Sequence, residues 1–550
     1  MIEIRRPFLF AVASLVILSA PPTEATAQVS TSDVDAIFAA FSGPNTPGCT
    51  VAVSEAGRPV LGRAYGMADL EHDVPNKLET VLEPGSVAKQ FTAAATILLA
   101  LDGKISLSDD IRKYIPEVPD YGEPITIRHL LNHTSGLRDW GSVAGIEGWP
   151  RTTRVHTHTH MLDIVSRQKS LNYEPGEFYS YTNTGYNLQA VLVERVSGMS
   201  FAEFSRTRVF EPLGMMKTEW RDDYNRIVKD RAVAYSPTRE GSFRQNMPFE
   251  NVHGNGGLLT TVGDLLKFTH NLQTGALWGP EFLKEMHTQG VLNSGRQIAY
   301  ASGLNVGKYK GVREVQHSGG TAGYRGFLTR FPDQDLAVAV MCNAGNANPG
   351  RFARQVADLY LGEAIVTDEP AAPTVEAVEV SGADLERFTG AYILTRNQQR
   401  RAFSVVDGAL RFGGAALVPI AQNRFAFEEA VFEFDVESGE QRPSAVFTTP
   451  DGDVFQMEPV EDFDPSTDDL AEFTGEYSSP EAEVTYSFKV REGSLARVDR
   501  YGRAIPVRPS GPDAFVGAGG TWVFHSEGGR VTSVSLVSGR VWDLRFERVR

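Results

Sequence analysis

The stretch LERFTGAY at residues 385–392 returns as LAEFTGEY at 470–477, an offset of 85 residues. A repeat at that spacing commits the C-terminal third of the chain to two similar units. Around it lie short alternating runs broken by Gly, Asp and Pro, such as FSVVDGALRFGG, RFAFEEAVFEFDV and SAVFTTPDGDVFQM. Period two with turn residues between the runs is an all-β pattern. Each unit is too short for anything but a small sandwich or barrel. The composition marks their borders. VTDEPAAPTVEAVEVSG (366–382) has neither helical nor strand periodicity and reads as a linker, and EDFDPSTDD forms a second acidic joint. The expected domains are therefore 383–462 and 468–550, behind a larger one at 28–365.

The 550 residues carry a formal net charge of −16. That balance argues against nucleic acid or an anionic membrane surface as a partner, since both need basic patches. At the N-terminus, Arg5 and Arg6 precede the apolar run FLFAVASLVILSA, and Ala25-Thr26-Ala27 follows. This is the pattern of a secretory signal peptide cleaved after Ala27. The apolar run is shorter than the ~20 residues of a spanning helix. The expectation is an exported protein, periplasmic or secreted, with no membrane anchor after cleavage.

Residues 28 to about 365 mix strand-like and helix-like segments. CTVAV and RPVLGRAYG pair around EAG, QFTAAATILLALDGK is a buried helix ending at Gly103, and GYRGFLTRF, PDQD and LAVAVMCN form a hairpin before the helix RFARQVADLYLG. Strands at both ends with helices between predict an antiparallel sheet whose edges come from opposite ends of the domain.

Chemistry enters at EPGSVAKQF. Ser86 and Lys89 stand three apart where a Pro-Gly turn becomes an apolar helix. Free N–H groups and the helix dipole there favour negative charge on the serine oxygen. Lys89, one turn on, falls on the same buried face. Taken alone, the stretch is equally a serine cap with a solvated lysine, and Ser166-Arg167-Gln168-Lys169 repeats the spacing in a polar helix end. Two further motifs tilt the balance. Tyr181-Thr182-Asn183 is the only Y-x-N among seventeen tyrosines, and His317-Ser318-Gly319 the only H-x-G among eleven histidines. A tyrosine beside a lysine ammonium can hold the phenolate that accepts a serine proton.

S-x-x-K, Y-x-N and H-x-G in this order resemble the serine hydrolases of the class C β-lactamase and penicillin-recognising fold, which include D-aminopeptidases, D-alanyl-D-alanine carboxypeptidases and family VIII esterases. ITIRHLLNHTSGL, GNGGLLTTVGDLLKF and HSGGTAGYRGFLTRFPDQDLAVAVMCN carry the likeness further, over about residues 35–362. The two C-terminal units are similar to the paired eight-stranded barrels of D-aminopeptidase, from which a loop reaches the site. The resemblance implies an α/β (α+β) catalytic domain, an antiparallel sheet flanked by helices with a helical subdomain. It makes Ser86 the acylated nucleophile, Lys89 its orienting amine and Tyr181 the general base. Asn183 would hold the substrate, with Gly319 allowing its backbone close. The N–H groups of Ser86 and Gly320 would form the oxyanion hole. His317 stands where β-lactamases carry the Lys of K-T-G, and a mostly neutral imidazole suits an ester or peptide better than a carboxylate-bearing β-lactam.

The expected activity is that of a D-aminopeptidase- or carboxypeptidase-type peptidase on small, linear or D-residue peptides. An esterase or β-lactamase is the alternative, and a penicillin-binding sensor that acylates without turnover stands in another class. No cofactor or metal is required. His156, His158 and His160 recur at period two, which offers one extended face to a metal or else an exposed loop at the site's rim. His133 has a structural part. Cys49 and Cys342 are the only cysteines, and spacing alone leaves one bridge or two buried thiols. The resembled fold pairs the first and last strands, which implies Cys49 and Cys342 within bridging range.

Overall fold

The computed structural model describes residues 29–365, 378–427, 430–438, 440–449 and 453–549. The expected leader and most of the expected linker lie outside them. Six strands form the sheet of the first domain: β1 (Cys49–Glu55), β2 (Arg58–Tyr65), β3 (Asn305–Tyr309), β4 (Val312–Thr321), β5 (Tyr324–Phe331) and β6 (Leu336–Cys342). Their order is β2-β1-β6-β5-β4-β3, antiparallel throughout. The edges do come from opposite ends of the domain, but the last strand, β6, is interior and pairs with β1. Cys49 stands opposite Cys342 in that register, and a disulfide joins them.

Alternation divides the side chains of the sheet between two cores. Val51, Val53, Val338 and Val340 pack with Phe352 and Val356 of the helix Pro349–Leu361. Ala52, Ala337, Ala339 and Met341 face the larger core around the helices Lys89–Leu101 and Val262–Thr274. The three alanines there leave room for those helices. The helix Lys89–Leu101 is buried from Lys89 through Leu99. It therefore serves as the domain's central strut, against which the helix Asn183–Ser197 packs.

The repeat defines two β units with one construction. In each, a serine caps a short helix (Ser381 on Asp384 N–H, Ser466 on Asp469 N–H) and the repeat motif follows. Leu385, Phe388 and Tyr392 fill the first unit, and Leu470, Phe473 and Tyr477 fill the second. The second is a closed eight-stranded barrel over Gly475–Arg548, completed where Tyr477 pairs with Arg548. The first is a nine-stranded sheet that curls almost shut. Its outermost strands, Ala415–Ala416 and Val418–Ala421, flank Leu417, which turns inward and is buried. Pro419 offers no N–H to a ladder, so the expected eight-stranded closure is replaced by an open seam.

Candidate active site

Ser86 lies in a 3₁₀ turn, Gly85–Ala88, that runs straight into the helix Lys89–Leu101. Its hydroxyl caps no backbone group and accepts a hydrogen bond from Lys89 Nζ at 3.2 Å. Lys89 is fully buried and donates also to Asn183 Oδ1 (3.0 Å) and the Asn255 carbonyl (2.7 Å). Three acceptors match the three donors of an ammonium. Burial first, then the nearby guanidinium of Arg540, pushes the lysine well below its ordinary range. The same spacing at Ser166 and Lys169 has no such setting: both are exposed, and Ser166 bonds the Asp163 carbonyl.

Tyr181 precedes the helix Asn183–Ser197, with Lys89 Nζ 4.8 Å from its ring centroid. Burial raises its phenol, and the Ser86 hydroxyl and Arg540 pull it back. The loop that carries it is tied to His133, whose Nδ1 accepts from Thr182 N–H and whose carbonyl accepts from Ser180 N–H. His133 is fully buried with its ring 4.2 Å from that of Tyr181. Asn183 donates its N–H to Asp139 Oδ2 (2.8 Å) and gives Oδ1 to Lys89, leaving its amide N–H₂ for a substrate.

His317 lies on β4, one strand in from the edge. The pairing with β3 stops at Gln316, so residues 317–320 border open space on that side. The two-residue turn after Thr321 fixes the alternation, by which Ser318 and Gly320 turn their backbone groups away from β5 into that space. Gly319 was expected to admit a substrate's backbone. Instead it admits the protein's own: a Cβ there would fall 2.0 Å from the Pro84 carbonyl and 2.5 Å from Ser86 N. Gly85, at φ +58°, meets Gly320 N in the same way. Glycines on both sides thus bring the N–H groups of Ser86 and Gly320 together. His317 Nδ1 lies 2.6 Å from the Ser318 carbonyl, so it carries the proton, and Nε2 accepts from Tyr300 O–H at 3.0 Å. Burial and Lys89 push this imidazole down to about 3, so it is neutral.

These groups open on a cleft of about 1100 Å³. Ser86, Tyr181, Tyr300, His317 and Gly320 line its floor, and Arg325, Arg351, Arg354 and Arg540 line its walls, with no aspartate or glutamate among the described residues that line it. Arg540 sits at a hairpin tip of the closed barrel, with its guanidinium 4.8 Å from the Tyr181 ring centroid and 3.7 Å from Asp139 Oδ2.

The histidine triplet departs from the extended face or rim loop expected of it. His158 begins the helix His158–Arg167, and His160 lies in its first turn. His156 is buried against the Trp149 carbonyl, His158 bonds the His253 carbonyl, and His160 accepts from Thr157 N–H. Each ring has its own backbone partner, and the three do not converge on a shared ligand position. Asp139, Asn255, Tyr300 and Arg540 escaped the sequence reading. Asn255 lies in the GNGGLLTTVGDLLKF stretch, while the other three have no local motif.

A turn-borne serine paired with a buried lysine, a neighbouring tyrosine and an outward-facing strand define a serine hydrolase of β-lactamase-like architecture. The beta-lactamase family model matches residues 34–363, more than half of the chain, and the chain belongs to that family. Penicillin-binding protein 4* of Bacillus subtilis (strain 168) is 28% identical over 440 residues, 73% of this chain and 93% of that protein. The D-aminopeptidase of Gluconobacter oxydans (strain 621H) is 27% identical over 530 residues, 94% of this chain and 98% of its own length. Among solved structures, the octameric penicillin-binding protein homologue from Pyrococcus abyssi superposes with a TM-score of 0.55 at 21% identity. It covers 94% of this chain and 98% of that one, a likeness of fold that includes both β units.

Proposed function

We propose that Ser86 forms an acyl-enzyme with small linear peptides or amides, D-residue substrates among them, in an exported protein. The observation that carries this reading is the Lys89 Nζ–Ser86 Oγ contact, set beside two N–H groups on the floor of an open cleft. Ser86 Oγ attacks the scissile carbonyl carbon, and its proton passes to the Tyr181–Lys89 pair, with Tyr181 as base. The N–H groups of Ser86 and Gly320 stabilise the resulting oxyanion, a donor of this type being worth ~10²–10³ in rate. The C–N bond then breaks, and the proton returns to the leaving amine. Water repeats the sequence on the ester and restores Ser86.

Charge narrows the substrate. Neutral His317 supplies no cation at its position, and the cleft walls hold arginines with no carboxylate among the described lining residues. Arg354 is neutralised by Glu314 at 2.7 Å, but Arg325 and Arg351 have no carboxylate partner among the described residues. That field favours a peptide with a free carboxylate over one offering only an N-terminal ammonium, the carboxypeptidase side of the expected range. The signal-like N-terminus and the disulfide support export to an oxidising compartment.

The test is a panel of D- and L-amino-acyl anilides, dipeptides with free or amidated C-termini, short-chain esters and a chromogenic cephalosporin. Turnover is expected to be highest for D-residue dipeptides with a free carboxylate, and Ser86→Ala to lose it by on the order of 10⁴-fold or more. Full activity in Ser86→Ala sinks the nucleophile. A burst without turnover makes the protein a sensor, and preference for esters or the cephalosporin moves it to those classes.

A further inference from the structure

Acylation of Ser86 needs a proton acceptor at a pH where lysine and tyrosine are ordinarily both protonated. Tyr181 is faced by Lys89 from the nucleophile helix, by His133 from the loop before Asp139, by Tyr300 (ring centroids 6.1 Å apart) and by His317 of β4 (6.3 Å). Tyr186 and Asp139 complete the titratable groups around it from the first domain. Both imidazoles are neutral: burial holds His133 well below its ordinary value and His317 at about 3. None of these groups therefore gives Tyr181 a standing positive charge, and Lys89 is the partner whose own proton is in question.

The charge arrives from the far end of the chain. Arg540 lies over the Tyr181 ring, held by Asp139, the carboxylate that also accepts the Asn183 N–H. The hairpin that carries it is fixed on both sides. The Arg540 carbonyl accepts from Asn172 Nδ2 (3.0 Å), and Trp542 N–H donates to Asn172 Oδ1 (2.9 Å). The carbonyls of Trp542 and Asp543 accept from Arg138, which is buried and paired with Glu481 of the same barrel at 2.8 Å. Chain geometry thus fixes the hairpin backbone from which the Arg540 side chain reaches Tyr181.

We propose, on the acyl-enzyme reading above, that Arg540 is a positioning residue of this site: from the last barrel it places a fixed positive charge over Tyr181 and near Lys89, and holds that pair in its proton-accepting forms. The direction is the same for both members. A guanidinium favours phenolate over phenol and free amine over ammonium, so it raises the fraction of each group that stands deprotonated, and open to the Ser86 proton, at a given pH. Burial is the largest influence on both; Arg540 opposes it at Tyr181 and reinforces it at Lys89, and Asp139 acts against Arg540 at each group, with the smaller effect. A residue that merely tied the hairpin down would not distinguish charge states.

Acylation by an activated ester, read as the mass adduct on Ser86, tests this across pH in wild type, Arg540→Met and Arg540→Lys, at low salt and at ~1 M salt. In Arg540→Met the rise of acylation with pH is expected to move up by about half a unit or more, a ~3-fold or greater loss near neutrality. Lysine recovers part of it. The Arg540 side chain is 42% exposed, so high salt should move the wild-type profile towards that of Arg540→Met and leave the variant unmoved. A uniform loss with an unchanged pH profile, or Lys no better than Met, overturns the proposal. If Arg540→Met does not fold, the wild type decides: a pH profile indifferent to salt overturns it as well. Absence of any Ser86 adduct, wild type included, instead removes the acyl-enzyme reading and Arg540's task with it.

Discussion

The two β units begin from one motif and end in different relations to the first domain. The first keeps a core of its own, built on Phe388, Tyr392, Phe425 and Phe434. It touches the site's rim through Arg396, which stacks on Phe178 at 3.8 Å and donates to the Tyr179 carbonyl. The second shares one continuous apolar core with the first domain, and its Tyr486 hydroxyl bonds the Ile146 carbonyl. Its contacts include the buried Arg138–Glu481 pair and the hairpin that brings Arg540 to Tyr181. Duplication supplied two copies of a plugged β unit. The one with the seam at Leu417 and Pro419 is a neighbour of the first domain, while the closed one shares its core and reaches the site.

The most severe way to break this contrast is Arg138→Ala. It leaves the Glu481 carboxylate buried without its guanidinium and frees the carbonyls of Trp542 and Asp543. Losing one partner of such a pair costs about 3–5 kcal/mol. Calorimetry is expected to show a lower Tm, with activity lost in parallel because the hairpin is released. Retained activity despite the lower Tm would mean that the second barrel works without being anchored.

Next come the plugs, compared directly. Phe388→Ala and Phe473→Ala each remove a buried ring from an equivalent place, a loss of about 3–5 kcal/mol apiece. Phe473→Ala is expected to lower the unfolding temperature of the catalytic unit and its activity together. Phe388→Ala should split off an early transition for the first β unit while turnover persists. Equal loss of activity in both would erase the distinction.

The mildest probe is pH. His133, His253, His287 and His317 are kept neutral by burial, with His253 and His317 pushed down to about 3 and His287 to about 4. Unfolded, these imidazoles take protons near their ordinary 6.5, so below that value the unfolded state binds protons that the folded state refuses. Stability is greatest above about 6.5 and falls as pH drops towards about 3. No histidine occurs between residues 378 and 465, so the first β unit should hold while the rest of the molecule weakens. Urea midpoints at pH 7 and pH 5, followed separately for the two transitions, check this.

Much of this architecture was legible because its signals are local. The alternation of CTVAV and LAVAVMCN announces strands, and the shared L-x-x-F-T-G-x-Y announces the duplicated units. Ser86, Tyr181 and His317 each sit in a short motif, and the structure brings all three to one cleft. What escaped depends on distant pieces meeting. Arg540 lies in the turn between VTSVSLVS and VWDLRF, and nothing in those residues hints at what the tip of the hairpin will face. Asp139 reads as an ordinary helix cap, which it is, while its second oxygen serves Asn183. The histidine triplet misled because period two suggests extension, whereas Thr157 caps a helix there and sends the rings to separate backbone partners.

The pairing of β1 with β6 has a consequence for how the molecule is made. Cys49 emerges 293 residues ahead of Cys342, an interval of ~15–60 s at ordinary rates of synthesis. Until then β1 lacks its inner neighbour, and the first domain can hold only a partial sheet. With two cysteines in the chain, Cys49 has no wrong partner within its own molecule. Any protein disulfide it forms before Cys342 arrives must be with another chain. Slow completion is thus made safe against internal scrambling, and the remaining hazard is crowding, so the yield of correctly bridged protein should depend on how densely its own chains are being produced.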